Sequence, residues 1–256
     1  MAIKIVVMDG DGSTITHDNQ FPDSLKELIL SKTSIKWMMA TGRSMDLLKV
    51  TPIHQYLSDD IFHIVDGGSC LMYKNGRIQE REYLQPTEID LLFSKLILEL
   101  VNFLYYSPDG IRGFCYTTNN DVMSKLSNLI DQVTFTNEIN QFRNWLSEFA
   151  TGKILLNVTE EFDLSGLYYH QNENNFDFTT NGVNKGTAFV KMLDLLGVYA
   201  AETIFVFNDK NDLPIIEHEQ LQDVIKIKVG NYLPMVNADY HVDTPYDVAE
   251  VLRTLI

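Results

Sequence analysis

The stretch IKIVVMDGDGST, residues 3–14, decides the fold. Six residues, apolar except Lys4 and rich in β-branched side chains, run straight into two aspartates one residue apart among glycines. Apolar side chains on both faces of a short segment predict a strand buried in the middle of a parallel sheet. Asp9 and Asp11 then fall at its carboxyl end, where open parallel sheets bind ligands. Two carboxylates this close repel each other unless a cation or a proton intervenes.

The same alternation continues outward from this strand. FPDSLKELILS (21–31) predicts a helix, with Pro22 at its start and Leu25, Leu28 and Ile29 on one face. IKWMMA (35–40) predicts a second buried strand ending in Thr41-Gly42-Arg43-Ser44, SMDLLKV a helix start, and FHIV a third strand. Short strand–helix alternation predicts a doubly wound, Rossmann-like α/β sheet.

From about residue 70 the pattern changes. CLMYKNGRIQE predicts a hairpin with Asn75-Gly76 as its two-residue turn. Thr87 with Asp90 reads as a capping box opening a long helix, whose apolar face comprises Ile89, Leu92, Phe93, Leu96, Ile97 and Leu100. NFLYYS and IRGFCYT predict a hairpin around Pro108-Asp109-Gly110. A helix near 120–132, the strand KILLNV, and GLYYH with FDFTT complete a small α+β unit. The α/β alternation returns with KGTAFVKMLDLLGV, ended by Gly197, then TIFVF, DLPIIEH, VIKIKV and DVAEVLRTLI. The expected organisation is an α/β core, residues 1–84 and 176–256, interrupted by an α+β insert at 85–175.

Composition bounds the function. The 256 residues carry 20 Lys plus Arg against 35 Asp plus Glu, a formal net charge of −15. That balance disfavours nucleic acid and anionic membrane as partners, because both are bound through basic side chains. Cys70 and Cys115 have no metal-ligand spacing, no apolar run approaches the length of a bilayer, and nothing at the start resembles a signal peptide; a cytoplasmic protein is expected.

Four polar clusters occupy strand ends or helix starts: Asp9-Gly-Asp11-Gly-Ser13, Thr41-Gly42-Arg43, Lys185, and Asn208-Asp209-Lys210-Asn211-Asp212. Gathered together, carboxylates of the first and last can bind a hard divalent cation such as Mg²⁺, while Thr41, Lys185 and loop N–H groups can hold phosphate oxygens. A metal then neutralises one aspartate and the other works protonated.

In this order the clusters resemble the four motifs of the haloacid dehalogenase-like (HAD) superfamily, specifically its Cof-like type-IIB sugar-phosphate phosphatases. ATGRS, NGVNKGTA and the late Val229-Gly230-Asn231 add to the resemblance, and the insert falls where the type-IIB cap belongs. The resemblance implies Asp9 as nucleophile forming an aspartyl-phosphate, Asp11 as general acid/base, and Thr41 and Lys185 on the transferring phosphoryl group. Ser13, Gly42, Arg43 and Asn211 would complete the phosphate site. Mg²⁺ would be held by Asp9, the Asp11 backbone carbonyl and acids of the last loop, from Asn208, Asp209 and Asp212. The substrate would be a small phosphorylated metabolite, and the chain a monomer or small homo-oligomer.

Departures from the family pattern bear on this. Aligned without a gap on Asn211-Asp212, the family's metal-binding Asp falls on Asn208; a carboxylate serves a cation better, which favours Asp209 as the ligand and leaves Asn208 as the alternative. Gly10 stands where a larger residue is common, Ser13 replaces Thr, and Gly67 in VDGGS replaces an Asn. Arg112 and Lys153 are candidates for reading the leaving group, and the histidines share no ligand spacing. A phosphosugar mutase on the same core and a non-catalytic phospho-ligand binder are the alternatives.

Overall fold

The computed structural model describes residues 2–256. Strand β1 (Ile5–Met8) lies inside a five-stranded parallel sheet with β2 (Lys36–Met39) on one side and β12 (Thr203–Phe207), β13 (Ile225–Val229) and β14 (Tyr240–Val242) on the other, giving the order β14-β13-β12-β1-β2. Its side chains alternate between two cores. Val6 and Met8 pack with Trp37, Met39 and Ile204 against α1 (Asp23–Ser31) and α8 (Val248–Leu255). Ile5 and Val7 pack with Met38, Phe205 and Phe207 against α6 (Lys185–Leu196) and α7 (Leu213–Ile216). Helices on both faces account for a strand that is apolar throughout. The chain diverges from β1 and β12 toward opposite sheet edges, and their adjacent carboxyl ends form the switch point where such sheets hold ligands.

After α2 (Met45–Lys49), strand β3 (Phe62–Val65) meets β2 only through an isolated parallel bridge, Ala40 to Ile64. It then begins an antiparallel sheet with β4 (Cys70–Tyr73) and β5 (Ile78–Arg81). The β4–β5 connection differs from the two-residue turn expected. Tyr73 N–H bonds to the Arg77 carbonyl and Gly76 N–H to the Tyr73 carbonyl, so Lys74, Asn75 and Gly76 make a three-residue loop with Gly76 left-handed at φ 88°.

The insert is built on a six-stranded sheet, order β10-β11-β9-β6-β7-β8, from β6 (Val101–Tyr106), β7 (Gly113–Tyr116), β8 (Val133–Thr136), β9 (Lys153–Val158), β10 (Tyr169–Asn172) and β11 (Asn175–Thr179). Helices α3 (Pro86–Lys95) and α5 (Ile139–Glu148) cover one face, where Leu92, Phe142 and Leu146 pack on Leu104, Ile154, Leu156 and Phe178. The other face carries Tyr105, Leu155 and Cys115, with Ile130 and Leu126 at the end of α4 (Asn120–Leu129), and meets Leu47 of the core. The sheet runs to Thr179, four residues past the return to the core expected from the sequence.

Several local expectations need correction. Helix α3 starts earlier than Thr87: Pro86 takes its first turn, and the Gln85 N–H donates to Glu88 at 2.8 Å. It also stops sooner, because Leu96 is extended (ψ 129°) and a 3₁₀ turn, Leu98–Leu100, leads into β6; Ile97 and Leu100 are off its apolar face. Strands β8 and β14 and helix α5 are additions to the elements the sequence pattern predicts.

Core and cap touch at several points. The Tyr105 hydroxyl bonds to Asp46, Lys49 reaches the Gly110 carbonyl at 3.0 Å, Arg81 the Pro108 carbonyl, and Lys153 the Gly42 carbonyl. The two chain crossings are pinned together by Glu88, which accepts from Gln85 on the outward crossing and from the Thr180 hydroxyl (2.7 Å) and Asn181 N–H (3.1 Å) on the return. No helix among the described residues is long and apolar enough to cross a membrane.

Candidate active site

Asp9 follows β1 directly and is 5% exposed. The next loop closes on itself: the N–H groups of Ser13, Thr14 and Ile15 converge on the Gly10 carbonyl, and the Thr14 hydroxyl donates to the Asp9 carbonyl at 2.7 Å. Burial pushes the Asp9 carboxyl up to about 7, with the neighbouring Asp212 adding to the rise and Lys185 opposing it. Lys185 opens α6, where Asn184 caps the helix by accepting from the N–H groups of Gly186 (2.9 Å) and Thr187 (3.0 Å). Its buried ammonium spends its three donors on Asp9 Oδ1 (2.8 Å), Asp212 Oδ1 (2.7 Å) and Asn211 Oδ1 (3.0 Å). Burial works against that charge, but Asp212 and Asp9 outweigh it and hold the lysine above its ordinary value.

Asp212 is fully buried. Its second oxygen accepts from the backbone N–H groups of Asn208 (3.3 Å) and Asp209 (3.2 Å), so it shapes the loop after β12. Of Asn208 and Asp209, it is Asn208 that shares a hydroxyl partner with Asp9. The Ser13 hydroxyl lies 3.1 Å from Asp9 Oδ2 and 2.9 Å from Asn208 Oδ1, and its single proton can serve only one of them. The approach is close enough that a β-carbon on Gly12 (φ 79°) would lie 2.1 Å from Asn208 Nδ2. The Asp209 carboxylate, expected as the ligand, turns back on the Lys210 N–H, although it also lines the cleft.

Thr41 is buried at the end of β2, tied through its N–H to the Ile64 carbonyl (2.9 Å), and its hydroxyl accepts from the Arg43 N–H (3.1 Å). Arg43 does not stand free for phosphate: it grips Asp11 through two bonds, Nε to Oδ2 (2.9 Å) and Nη2 to Oδ1 (2.8 Å), at the cleft rim. Gly42, Asn211, Asp9, Asp11 and Thr41 all line one cleft of about 290 Å³ between core and cap. The four sequence clusters therefore converge.

The candidates for reading the leaving group divide. Lys153 lines the cleft but bonds to Asp177 (2.9 Å) as well as to the Gly42 carbonyl. Arg112 is held by Asp109 in its own hairpin, lies against Phe149, and does not line the cleft. Sequence reasoning missed Asp177, Asn172 and Asn175, which line the cleft from the cap. A signal existed in FDFTT: Phe176 and Phe178 face the cap core, so the alternation sends Asp177 to the opposite face.

Among the described residues, no three His, Cys, Asp or Glu side chains converge into a metal-binding group. The hard oxygens that do gather are Asp9 Oδ2 and Asn208 Oδ1, around one hydroxyl. One carboxylate with neutral oxygens suits Mg²⁺, which takes few protein ligands and completes its shell with water and substrate phosphate.

The profile of the haloacid dehalogenase-like hydrolases matches residues 6–224, and the chain belongs to that family. Its fold is shared with a haloacid dehalogenase-like hydrolase from Bacteroides thetaiotaomicron, at 17% identity and a TM-score of 0.78 over 99% of this chain and 100% of that one. The phosphatase BT1666 from the same organism aligns over 99% and 95% of the two chains at 16% identity, TM-score 0.71. BT4131, a HAD subclass IIB sugar phosphatase, aligns over 98% of each at 15% identity, TM-score 0.74.

Proposed function

We infer that this hydrolase is a phosphatase that cleaves a small phosphate monoester, a sugar phosphate, through a covalent phospho-Asp9 intermediate. The observation that carries this reading is the buried Asp9 carboxylate, 2.8 Å from the Lys185 ammonium, in the cleft between core and cap. A carboxylate attacking a phosphate dianion must overcome like-charge repulsion, and Lys185 supplies the opposing charge. An Asp9 oxygen bonds to phosphorus while the P–O bond to the sugar breaks, and Asp11 gives its proton to the departing alkoxide. Water then attacks phosphorus, passing a proton to Asp11 as the bond to Asp9 breaks, which releases orthophosphate.

Arg43 occupies both carboxyl oxygens of Asp11, so for Asp11 to reach the leaving group the Arg43–Asp11 pair must part. An incoming phosphoryl dianion competes for Arg43 and supplies the reason to part. The Thr41 hydroxyl holds one transferring oxygen, and Lys185 takes another by exchanging one of its three bonds to Asp9, Asp212 and Asn211 for it. Mg²⁺ would be held by Asp9, the Asn208 amide oxygen and the Asp11 backbone carbonyl, and when bound it neutralises phosphoryl charge and favours in-line geometry.

The test is phosphate release from a panel of sugar phosphates, with Mg²⁺ or chelator, comparing wild type with Asp9→Asn. Turnover confined to the wild type and lost by at least about a thousandfold in the variant is expected for removal of a nucleophile. Comparable activity in Asp9→Asn would exclude the covalent route.

A further inference from the structure

The cap face above the cleft carries charges that cancel. Of the cations lining the cleft, Arg43 is matched by Asp11, and Lys153, with its side chain 5% exposed, is matched by Asp177 at 2.9 Å. Lys185 beneath them is matched by Asp9 and Asp212. The carboxylate of Asp209 also lines this space. A substrate bringing a second anionic group would therefore meet carboxylates and no uncommitted cation among the described lining residues. The net charge of −15 acts in the same sense at longer range.

The remaining polar groups from the cap are neutral. Asn172 and Asn175 pair across the end of the β10–β11 hairpin. An amide chain orients the second of them: Asn102 Nδ2 donates to Asn157 Oδ1 (2.9 Å), and Asn157 Nδ2 donates to Asn175 Oδ1 (2.8 Å). With its oxygen occupied, Asn175 has N–H donors left to offer, and hydroxyl oxygens accept them. The Lys153–Asp177 pair is also fixed in place. A β-carbon on Gly42 would come within 2.9 Å of Asp177 Oδ2, so the pair sits directly on the loop that carries Thr41.

We propose that Asp177 is a specificity-determining residue: by neutralising Lys153 it restricts the site to substrates whose only anionic group is the phosphate transferred, the single phosphate esters of neutral polyhydroxy compounds. This rests on the phosphatase reading for its chemistry but makes a separate claim about selection. Rejection comes from unpaired like charge, and acceptance from amide–hydroxyl bonds.

The experiment compares an aldohexose 6-phosphate with the corresponding aldonic acid 6-phosphate, which differs by a carboxylate at the far end. For the wild type, kcat/KM is expected to favour the hexose ester by about a hundredfold. Asp177→Asn, close in shape, leaves Lys153 uncompensated and should narrow that ratio by about tenfold, whereas Lys153→Gln should widen it. A wild-type ratio near one would overturn the proposal. So would an Asp177→Asn variant that loses activity on both esters equally, since that is the behaviour of a mere structural latch. Binding of the same two esters to Asp9→Asn protein, measured by calorimetry, separates the two claims. Selective binding without wild-type turnover of either ester would retain the selection and remove the phosphatase reading. Turnover of both esters at one rate, with unselective binding, would do the reverse.

Discussion

Asn208 carries the most informative single substitution in the molecule. It brings a neutral amide oxygen to the position beside Asp9 where family resemblance expects a carboxylate, while one oxygen of the neighbouring Asp209 accepts from the Lys210 backbone N–H. Replacing Asn208 by Asp is expected to tighten Mg²⁺ binding about tenfold, since charge count among oxygen ligands sets affinity for hard cations. Titration calorimetry with Mg²⁺ alone reads this without reference to turnover. Asp209→Ala should leave the affinity within about a factor of two under the same assignment; the opposite ranking would move the cation to Asp209. The expectation from sequence favoured Asp209 on charge alone. Which of two adjacent side chains turns inward depends on the backbone of the loop, fixed here by Asp212 accepting from both of their N–H groups. That contact links residues too close in sequence to leave a pattern.

Among the elements, α6 and the loop after β3 depend on one another. Gly68 has φ 104°, and a β-carbon there would fall 2.2 Å from the Asn184 carbonyl oxygen, in the residue that caps α6. Gly68→Ala must push the helix start away or distort the loop, and Lys185 moves with that start. The variant is expected to lose about 2–3 kcal/mol of stability and to lower kcat, both measurable by urea unfolding and steady-state assay. Elements with strong patterns were legible from sequence: β1 and β12 are short β-branched and apolar runs, β2 is apolar after Lys36, β13 alternates Ile225, Ile227 and Val229 with lysines, and α6 announces itself by its apolar face and by Gly197, left-handed at φ 61°. Those that escaped notice are weaker. β8 is a sheet-edge strand with no fully buried residue, and β14 has three residues. Helix α5 buries only Phe142 and Leu146 within a polar segment. Capping at Gln85 rather than Thr87 was hidden because Pro86, not the box residues, sets where α3 begins. The candidate site was more legible than the cap, because its residues recur at strand ends in fixed order, whereas Asp177, Asn172 and Asn175 are identified only by which sheet face they share.

For the molecule as a whole, stability should depend on pH through His63. It is fully buried at the junction between β2 and β3, where its Nδ1 accepts from the Met39 N–H. Burial pushes its pKa down from 6.5 to about 3, aided by the charge of Lys74. The folded value lies below the unfolded one, so between them the unfolded chain takes up a proton that the folded chain refuses. Stability from this group is complete above about pH 6.5 and is lost as the pH falls, by about 2 kcal/mol at pH 5. The expected observation is a smaller difference between the pH 7.5 and pH 5 unfolding free energies in His63→Leu than in wild type. Equal differences would show that His63 takes no part in acid sensitivity. Glu88, which pins the outward and returning chain crossings together, has a consequence of another kind. Seen from the core, everything between those crossings enters and leaves by one doorway, as a short surface loop would. The strands and helix that hold the four clusters, β1, β2, β12 and α6, therefore close into a sheet and its cover without any chain from the insert, which hangs from them like a bag from a single drawn cord.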